Sequence, residues 1–218
     1  MTRGLLLDEM NKLRRELTIM AARVDDDLGK ALVILNTGDE ELAAEVKESG
    51  KIVDALQLKI EDMTLVLIAT QQPVAGDLRE LLTVFKITSG LERIGDYGIH
   101  LVKAAKKLSN RPAFRSIERI ARMAETGREM LKAAFSAYLA RDPEAARAAA
   151  VLDDKIDGEH KALTEEMLKM MKKEPNLVKA AARLLKLSGY MERMGDHITN
   201  ICEGIIFMTE GRHEELNH

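Results

Sequence analysis

One segment occurs twice in this chain, as Leu91-Glu92-Arg93-Ile94-Gly95-Asp96 and, one hundred residues later, as Met191-Glu192-Arg193-Met194-Gly195-Asp196. Each copy lies in sequence with helical periodicity, so its Glu and Asp, four positions apart, project from one helix face. Like charges at this spacing oppose helix formation by about 0.2–0.5 kcal/mol. A glycine in a helix interior costs about 1 kcal/mol relative to alanine. Because both penalties occur twice, the segment indicates carboxylates that interact with a cation.

Apolar side chains recur at intervals of three and four residues through both copies, which is the spacing of a packed helical seam. The seam runs from Val84 to Leu108 in the first copy and from Leu184 to Met208 in the second. If Met191 occupies heptad position a, Glu192 occupies b and Asp196 occupies f. We therefore expect the acidic pairs on the outside of the helices, away from the core.

Turn-forming residues divide the chain into six periodic segments of roughly 25–35 residues each. The breaks fall at Thr37-Gly38-Asp39, Gln71-Gln72-Pro73, Ser109-Asn110-Arg111-Pro112, Arg141-Asp142-Pro143 and Glu174-Pro175-Asn176. Long helices joined by short turns are typical of antiparallel up-and-down bundles.

The two halves of the chain align with each other at a shift of 103 residues before the turn at Pro73 and of 100 residues after it. Self-similarity of this kind indicates a repeated structural unit. The sequence thus predicts an all-α protein, a tandem repeat of two antiparallel three-helix bundles with six long helices. The first bundle is expected at residues 5–108 and the second at residues 113–211.

The composition excludes several classes of protein. Hydrophobic residues make up 46% and charged residues 32%, as in a globular chain, and the net charge of −3 argues against a nucleic-acid-binding surface. The single cysteine, Cys202, excludes an internal disulfide and a cysteine-cluster zinc site. The longest apolar run, residues 65–69, is far shorter than the roughly 20 residues that span a bilayer. No signal peptide is visible, and we expect a cytoplasmic protein without membrane insertion.

A second acidic pair lies on the helix that precedes the second copy. Asp153 and Asp157 are four residues apart on the flank of that helix, where they are expected to face Glu192 and Asp196. Four carboxylates around one or more ions suit a hard or borderline metal such as iron, manganese, zinc or magnesium. His160, one turn after Asp157, is a candidate nitrogen ligand.

The first half is poorer in ligands. Asp54 matches Asp157 and faces the pair Glu92 and Asp96, but Gly50 stands where the second half has Asp153. Glu48 and His100 are the nearest replacements. Most surface carboxylates hold no ion. Because the first half lacks one of the four carboxylates, we expect the second-half site to bind metal more tightly.

Several motifs in a fixed order resemble the PhoU family of phosphate-signalling regulators, and the similarity covers essentially the whole chain. The motifs are Ile52-Val53-Asp54-Ala55-Leu56-Gln57, Gln71-Gln72-Pro73-Val74-Ala75-Gly76-Asp77-Leu78-Arg79, Leu91-Glu92-Arg93-Ile94-Gly95-Asp96, Asp153-Asp154-Lys155-Ile156-Asp157 and Met191-Glu192-Arg193-Met194-Gly195-Asp196-His197-Ile198-Thr199-Asn200-Ile201. The resemblance implies two three-helix bundles whose E/D-x-x-x-D motifs hold iron or zinc clusters on the bundle surface. Carried over position by position, these metal motifs fall on three pairs: Glu92 and Asp96, Glu192 and Asp196, and Asp153 and Asp157. In the first half, the motif on the neighbouring helix is matched only at Asp54.

The resemblance also implies a function. Members of the family repress the phosphate-starvation response when phosphate is plentiful, so the chain is expected to be a non-catalytic, metal-binding negative regulator. The implied partners are the sensor histidine kinase of that response and the ATPase of the phosphate ABC transporter. A homodimer is implied as well, although the apolar seams are equally satisfied within a monomer.

Two other functions remain open at this point. A di-iron carboxylate enzyme would use Glu-x-x-His motifs on core helices, and the nearest matches are Asp157-x-x-His160 and Glu210-x-x-His213. A helical scaffold without metal would leave every acidic pair solvated.

Overall fold

The computed structural model describes residues 3–108 and 115–217, and it confirms the predicted all-α fold with six long helices. The helices, with one short additional helix, are α1 (Arg3–Thr37), α2 (Glu40–Gln71), α3 (Ala75–Leu108), α4 (Arg115–Ala140), α5 (Pro143–Ala150), α6 (Asp153–Lys173) and α7 (Val178–Glu210). Within the described ranges, no helix is long and apolar enough to cross a membrane.

The helices begin and end at the predicted turn residues. Asp39 accepts hydrogen bonds from the N–H groups of Glu41 and Leu42, both at 3.0 Å, and so caps the start of α2. Asp142 caps α5 in the same way, with Pro143 at the first helical position. The predicted break at residues 109–112 and the predicted domain start at residue 113 lie outside the described residues.

One break was not predicted. The segment after Asp142 bends at Val151 and Leu152, where hydrogen bonds between residues three apart replace the α-helical pattern, as from the N–H of Leu152 to the carbonyl of Ala149 at 3.1 Å. The bend separates α5 from α6 and places Asp153 in the first turn of α6. Its position next to the acidic residues matters for the site described below.

The predicted seams form the core. All eight seam residues predicted in α7 are at most 4% exposed, and Val84, Ile87, Leu91, Ile94 and Leu101 of α3 are at most 1% exposed. In the first half, α1, α2 and α3 pack on one another, and in the second half α4 packs with α5, α6 and α7.

The two halves also pack against each other, through α3 with α7 and α1 with α4. Helices α3 and α7 are antiparallel, because Thr83 contacts Gly204 near one end of their interface and Tyr97 stacks on Tyr190 near the other. We refer to this interface as the α3–α7 seam. It brings the two copies of the repeated segment side by side at its middle.

Candidate metal centre

The second-half acidic residues meet on one face formed by α6 and α7. Asp157 is exposed, while Asp153, Glu192 and Asp196 are partly buried. Burial is the main cause that raises the pKa of Glu192, and the negative charges of Asp196 and Asp157 add to it. The pKa of Asp157 is likewise raised, by the partial desolvation of its carboxylate and by the negative charge of Asp196. The face therefore concentrates negative charge that the neighbouring side chains do not fully neutralise.

Asp153 is held between α6 and α7 instead of pointing outward. Its Oδ2 accepts a hydrogen bond from the Thr199 hydroxyl at 2.8 Å, whereas its Oδ1 is buried without a hydrogen-bond partner. Burial, with the charges of Asp157 and other nearby acids, raises the pKa of Asp153 to about 6, while the Thr199 hydroxyl opposes that shift. A buried carboxylate oxygen without a partner costs free energy, and a cation bound there would relieve that cost.

Gly195 makes this arrangement possible. A Cβ added at Gly195 would overlap Oδ1 of Asp153 and lie 3.0 Å from its Cγ. The glycine inside the repeated segment, which is unfavourable for the helix alone, thus allows the Asp153 carboxylate to lie directly against α7. Sequence reasoning identified the penalty but could not identify this neighbour.

His160 lies on the same face. Its Nδ1 is 2.7 Å from Oγ of Ser188, which in turn donates toward the sulfur of Met123 at 3.8 Å. With the Ser188 proton used in this way, Nδ1 is the donor and Nε2 keeps its lone pair, which is the form of histidine that coordinates metals. His160 is close enough to Asp157 and Glu192 to oppose the rise in their pKa values.

The C-terminal segment covers one end of this face, which the sequence did not reveal. Arg147 forms ion pairs with Glu210 at 2.9 Å and Glu214 at 2.8 Å, and these pairs hold the segment against α5. The cavity beneath it has a volume of about 250 Å³, and its lining includes Asp153, Asp154, Asp157, Asp196, Arg147 and Leu216.

The first-half acidic residues also meet, with a different set of donors. Burial raises the pKa of Glu92, and Asp96, Asp54 and Glu61 raise it further, while Arg93 opposes the shift. Glu61 was not predicted as part of this site. It lies seven residues after Asp54, two turns along α2 on the same face, and it accepts a hydrogen bond from Gln57 at 3.0 Å.

The space beside Gly50 is filled by a different kind of side chain from the one at its second-half counterpart, Asp153. A Cβ added at Gly50 would lie 2.6 Å from Cδ1 of Ile99, so an apolar side chain from α3 fills the space where the second half has Asp153. The first half thus lacks an acid at one end of its α2 face and has Glu61 at the other. Neither Glu48 nor His100 takes the place of the missing carboxylate. Glu48 forms an ion pair with Lys51, and the His100 ring packs on Tyr190 with ring centroids 4.4 Å apart.

Neither face is a preformed coordination cage. Among the described residues, no three His, Cys, Asp or Glu side chains stand in an arrangement that could hold a metal ion. Most of the donors are carboxylates on helix surfaces, and Asp153 is the carboxylate that both hydrogen bonding and packing hold in place. The donor set fits a hard or borderline cation if the side chains turn toward it.

Arg93 and Arg193 lie between the two acidic faces. Both arginines lower the pKa of His197, whose burial is the largest cause of that shift, and both lower the pKa of Tyr97, which burial raises. The Tyr97 and His197 rings are 5.9 Å apart across the α3–α7 seam. Each copy of the repeated segment therefore contributes an exposed arginine to the surface around Tyr97 and His197, at the middle of the α3–α7 seam.

The sequence matches the model of the PhoU domain twice, at residues 17–105 and 120–205. The chain belongs to the PhoU family. A relative from Clostridium acetobutylicum, named as a phosphate-specific transport system accessory protein PhoU homolog, is 32% identical over 218 residues and covers 100% of both chains. A protein of the same name from Aquifex aeolicus is 30% identical over 213 residues, covering 98% of this chain and 96% of its own.

Solved PhoU structures have the same fold. The crystal structure of PhoU from Pseudomonas aeruginosa superposes with a TM-score of 0.88 at 26% identity, covering 94% of this chain and 99% of that one. The phosphate transport system regulatory protein PhoU from Streptococcus pneumoniae gives a TM-score of 0.85 at 27% identity, covering 96% and 99%. The Clostridium and Aquifex relatives are named as accessory proteins and the Streptococcus protein as a regulatory protein.

The Glu-x-x-His motifs do not form a di-iron site of the bundle-core type. Glu210 is paired with Arg147 and Arg212, and the exposed His213 stacks on Phe207 with ring centroids 4.3 Å apart. The other motif, Asp157-x-x-His160, lies on the acidic face of α6 and not in the core.

Proposed function

We propose that this protein regulates phosphate uptake and the phosphate-starvation response by docking onto its partners, without catalysis. Membership of the PhoU family over both halves of the chain carries this proposal. The relatives' names place those proteins in phosphate-specific transport systems. The proposed partners are the sensor histidine kinase and the ATPase of the phosphate ABC transporter, which the protein restrains when phosphate is plentiful.

The proposed docking surface includes the acidic faces with bound metal ions. In the second half, Asp153, Asp157, Glu192 and Asp196 would hold the metal, and His160 is positioned to add a nitrogen ligand. Support comes from the unpartnered buried oxygen of Asp153 and from the mutually raised pKa values of these acids. When bound, the metal supplies positive charge that joins α6 to α7.

In the first half, Glu92, Asp96 and Asp54 would hold a weaker site, with Glu61 in place of the missing acid at Gly50. Arg93 and Arg193, between the two sites, would then be presented to the partner together with the metal charge. Iron or zinc is the proposed metal, since carboxylates with one imidazole suit both.

Metal content tests the site. Protein purified without chelator should contain metal, and a Glu192→Ala/Asp196→Ala variant should lose most of it. A Glu92→Ala/Asp96→Ala variant serves as the matched control and should lose less. Near-zero metal in all three proteins would reject the metal site and favour a scaffold without metal.

The two double variants should remain folded. Their carboxylates are only partly buried and repel each other, so removing them should change stability by about 0.5 kcal/mol. Urea unfolding of metal-free protein measures this change. A large loss of stability in the second-half variant would show that these acids support packing instead of binding an ion.

The regulatory role is tested in a bacterial host that lacks its own PhoU-family protein. Expression of this chain in phosphate-rich medium should lower a phosphate-starvation reporter and the uptake of labelled phosphate. The second-half double variant should restore little of that repression, whereas an exposed-site control such as Lys161→Gln should act like the wild type. An unchanged reporter with stable, abundant protein would contradict the proposed function.

A further inference from the structure

A second, separate cavity opens at one end of the α3–α7 seam, beyond the acidic faces. It has a volume of about 350 Å³ and lies between the C-terminal half of α3 and the first turns of α7. Its lining residues are His100, Lys103, Ala104, Arg183, Lys186, Leu187 and Tyr190. This volume is within the range of small-molecule sites, about 300–1,000 Å³.

The charge of this cavity is opposite to that of the acidic faces. Lys103, Arg183 and Lys186 bring three cations to its wall, and none of the described residues that line it is acidic. None of the three forms an ion pair with a carboxylate in the part of the chain that the structure describes. By contrast, Arg128 at the α1–α4 contact is paired with Asp25 at 3.1 Å, and Arg14 with Glu80 at 2.6 Å.

Aromatic and hydrogen-bonding groups complete the wall. The Tyr190 ring stacks on Tyr97 with centroids 5.7 Å apart, and the His100 ring lies 4.4 Å from Tyr190. The Lys186 ammonium is 5.6 Å from the centroid of Tyr190. Because the Tyr190 ring is engaged in these contacts, its hydroxyl is the group that a ligand would use. An imidazole and a phenol both donate hydrogen bonds to an oxyanion.

The field in the cavity is positive. Burial is the largest cause that lowers the pKa of His100, and Lys103 and Lys186 lower it further, against the opposing effect of Asp96. A bound anion would offset this positive charge.

The internal repeat provides a comparison within the same molecule. At the opposite end of the α3–α7 seam, the positions that match Lys103, Arg183 and Tyr190 are occupied by Glu203, Thr83 and Gly90. There the helices are in close contact. The Thr83 hydroxyl donates to the Gly204 carbonyl at 3.0 Å, and a Cβ on Gly90 would lie 3.0 Å from Cδ1 of Ile201. Packing of the repeat therefore does not require the open basic cavity, which is specific to one end.

We propose that this cavity binds a small, soluble oxyanion of the phosphate class with two or more negative charges. Arg183 offers a planar pair of donors suited to two oxygens of one phosphoryl group, and the two lysines act as point charges. The volume leaves room for a second phosphoryl group, so pyrophosphate should fit as well as inorganic phosphate. The inference rests on the cavity alone and does not depend on the regulatory role proposed above.

Calorimetric titration of the full chain tests the proposal. The protein is first freed of metal with chelator, so that phosphate cannot bind through ions on the acidic faces. Inorganic phosphate, pyrophosphate, sulfate and citrate are then titrated at about 0.15 M salt, where long-range attraction between exposed charges is screened. Phosphate and pyrophosphate should bind with one site per chain, and both should bind more tightly than citrate. Sulfate, a tetrahedral dianion, should bind like phosphate.

Variants locate the site. Arg183→Gln/Lys186→Gln should weaken binding of phosphate and pyrophosphate by roughly tenfold or more, because two charge-assisted contacts are lost. Both side chains are exposed, so the fold should persist, as circular dichroism would verify. Lys86→Gln, which changes the repeat counterpart of Lys186 at the closed end of the seam, is the matched control and should bind like the wild type.

Three results would overturn the proposal. The first is absence of binding by phosphate and pyrophosphate to correctly folded, metal-free protein. The second is equal binding of all four anions, which would indicate unspecific attraction to positive charge. The third is equal weakening by Lys86→Gln and by the double variant, which would place the effect outside the cavity.

Discussion

The two acidic faces derive from the same repeated segment, yet their carboxylates are held differently. In the second half, Asp153 is inserted against Gly195 and bonded to Thr199. In the first half, Ile99 fills the space at Gly50, and Glu61 joins from two turns further along α2. The Glu-x-x-x-Asp pair is thus common to both faces, while the neighbouring helix determines which further oxygens are available and how firmly they are fixed.

The largest expected effect concerns the two matching glycines. Gly195→Ala should displace the Asp153 carboxylate and weaken metal binding in the second half by about 10- to 100-fold, as when groups that orient metal ligands are removed. Gly95→Ala is the matched control, since its Cβ would lie 3.7 Å from Val24 and Val53, in ordinary contact. That control should gain up to about 1 kcal/mol of stability from helix propensity. Metal titration and urea unfolding of both variants measure these effects.

If both glycine variants bind metal equally well, the close approach of Asp153 to α7 is irrelevant to binding. The two faces would then differ only in which positions supply their carboxylates.

An intermediate effect is expected from adding the missing acid to the first half. Gly50→Asp combined with Ile99→Ala removes the obstructing methyl group, which would lie 2.6 Å from a Cβ at position 50. One more carboxylate should raise metal affinity of the first-half face by about tenfold, because ligand charge tunes affinity. Metal titration in the Glu192→Ala/Asp196→Ala background isolates the first-half face.

Ile99→Ala alone is the control for this variant and should not change affinity. A double variant without any gain would show that Glu61 already compensates for Gly50.

The smallest expected effect is a pH dependence of stability in metal-free protein. Burial raises the pKa of Asp153 to about 6 in the folded chain, against about 4 for an unfolded aspartate. The folded state therefore holds the proton more tightly, and its stability falls as pH rises from about 4 through 6. Asp153→Asn avoids this loss and should be more stable than the wild type at about pH 7.5. The gain should be limited to about 1 kcal/mol, because the carboxylate is only partly buried.

Below about pH 4 the advantage of Asp153→Asn should vanish, as measured by urea unfolding in chelator. An equal advantage for Asp153→Asn at both pH values would mean that ionisation of Asp153 does not limit stability.

Much of the fold could be predicted from local sequence patterns. The three-four spacing identified the buried residues of α3 and α7, and Asp39 and Asp142 marked helix starts, because both signals depend only on near neighbours in the chain. The bend at Val151 and Leu152 was missed, since no glycine or proline marks it. It forms where the small alanines of α5 pack against α7, a contact that sequence spacing does not report.

The candidate site was predicted less completely than the fold. The repeat identified Glu92, Asp96, Glu192 and Asp196, because a duplicated pattern stands out without any structure. Glu61 was missed because the matching residue in the second half is Thr164, so comparison of the halves gave no signal. Thr199 belongs to a family motif but had no predicted role, since its partner Asp153 is 46 residues away.

The sequence by itself determined the helices, their buried faces and the twofold occurrence of an acidic segment, since periodicity and turn residues act over a few positions. Only the tertiary structure decided that α3 and α7 lie antiparallel, that Asp153 presses against Gly195, and that one end of the α3–α7 seam is a basic cavity while the other is closed. These features depend on which helices become neighbours. That choice is made by the packing of whole helix faces, which no single stretch of the chain specifies.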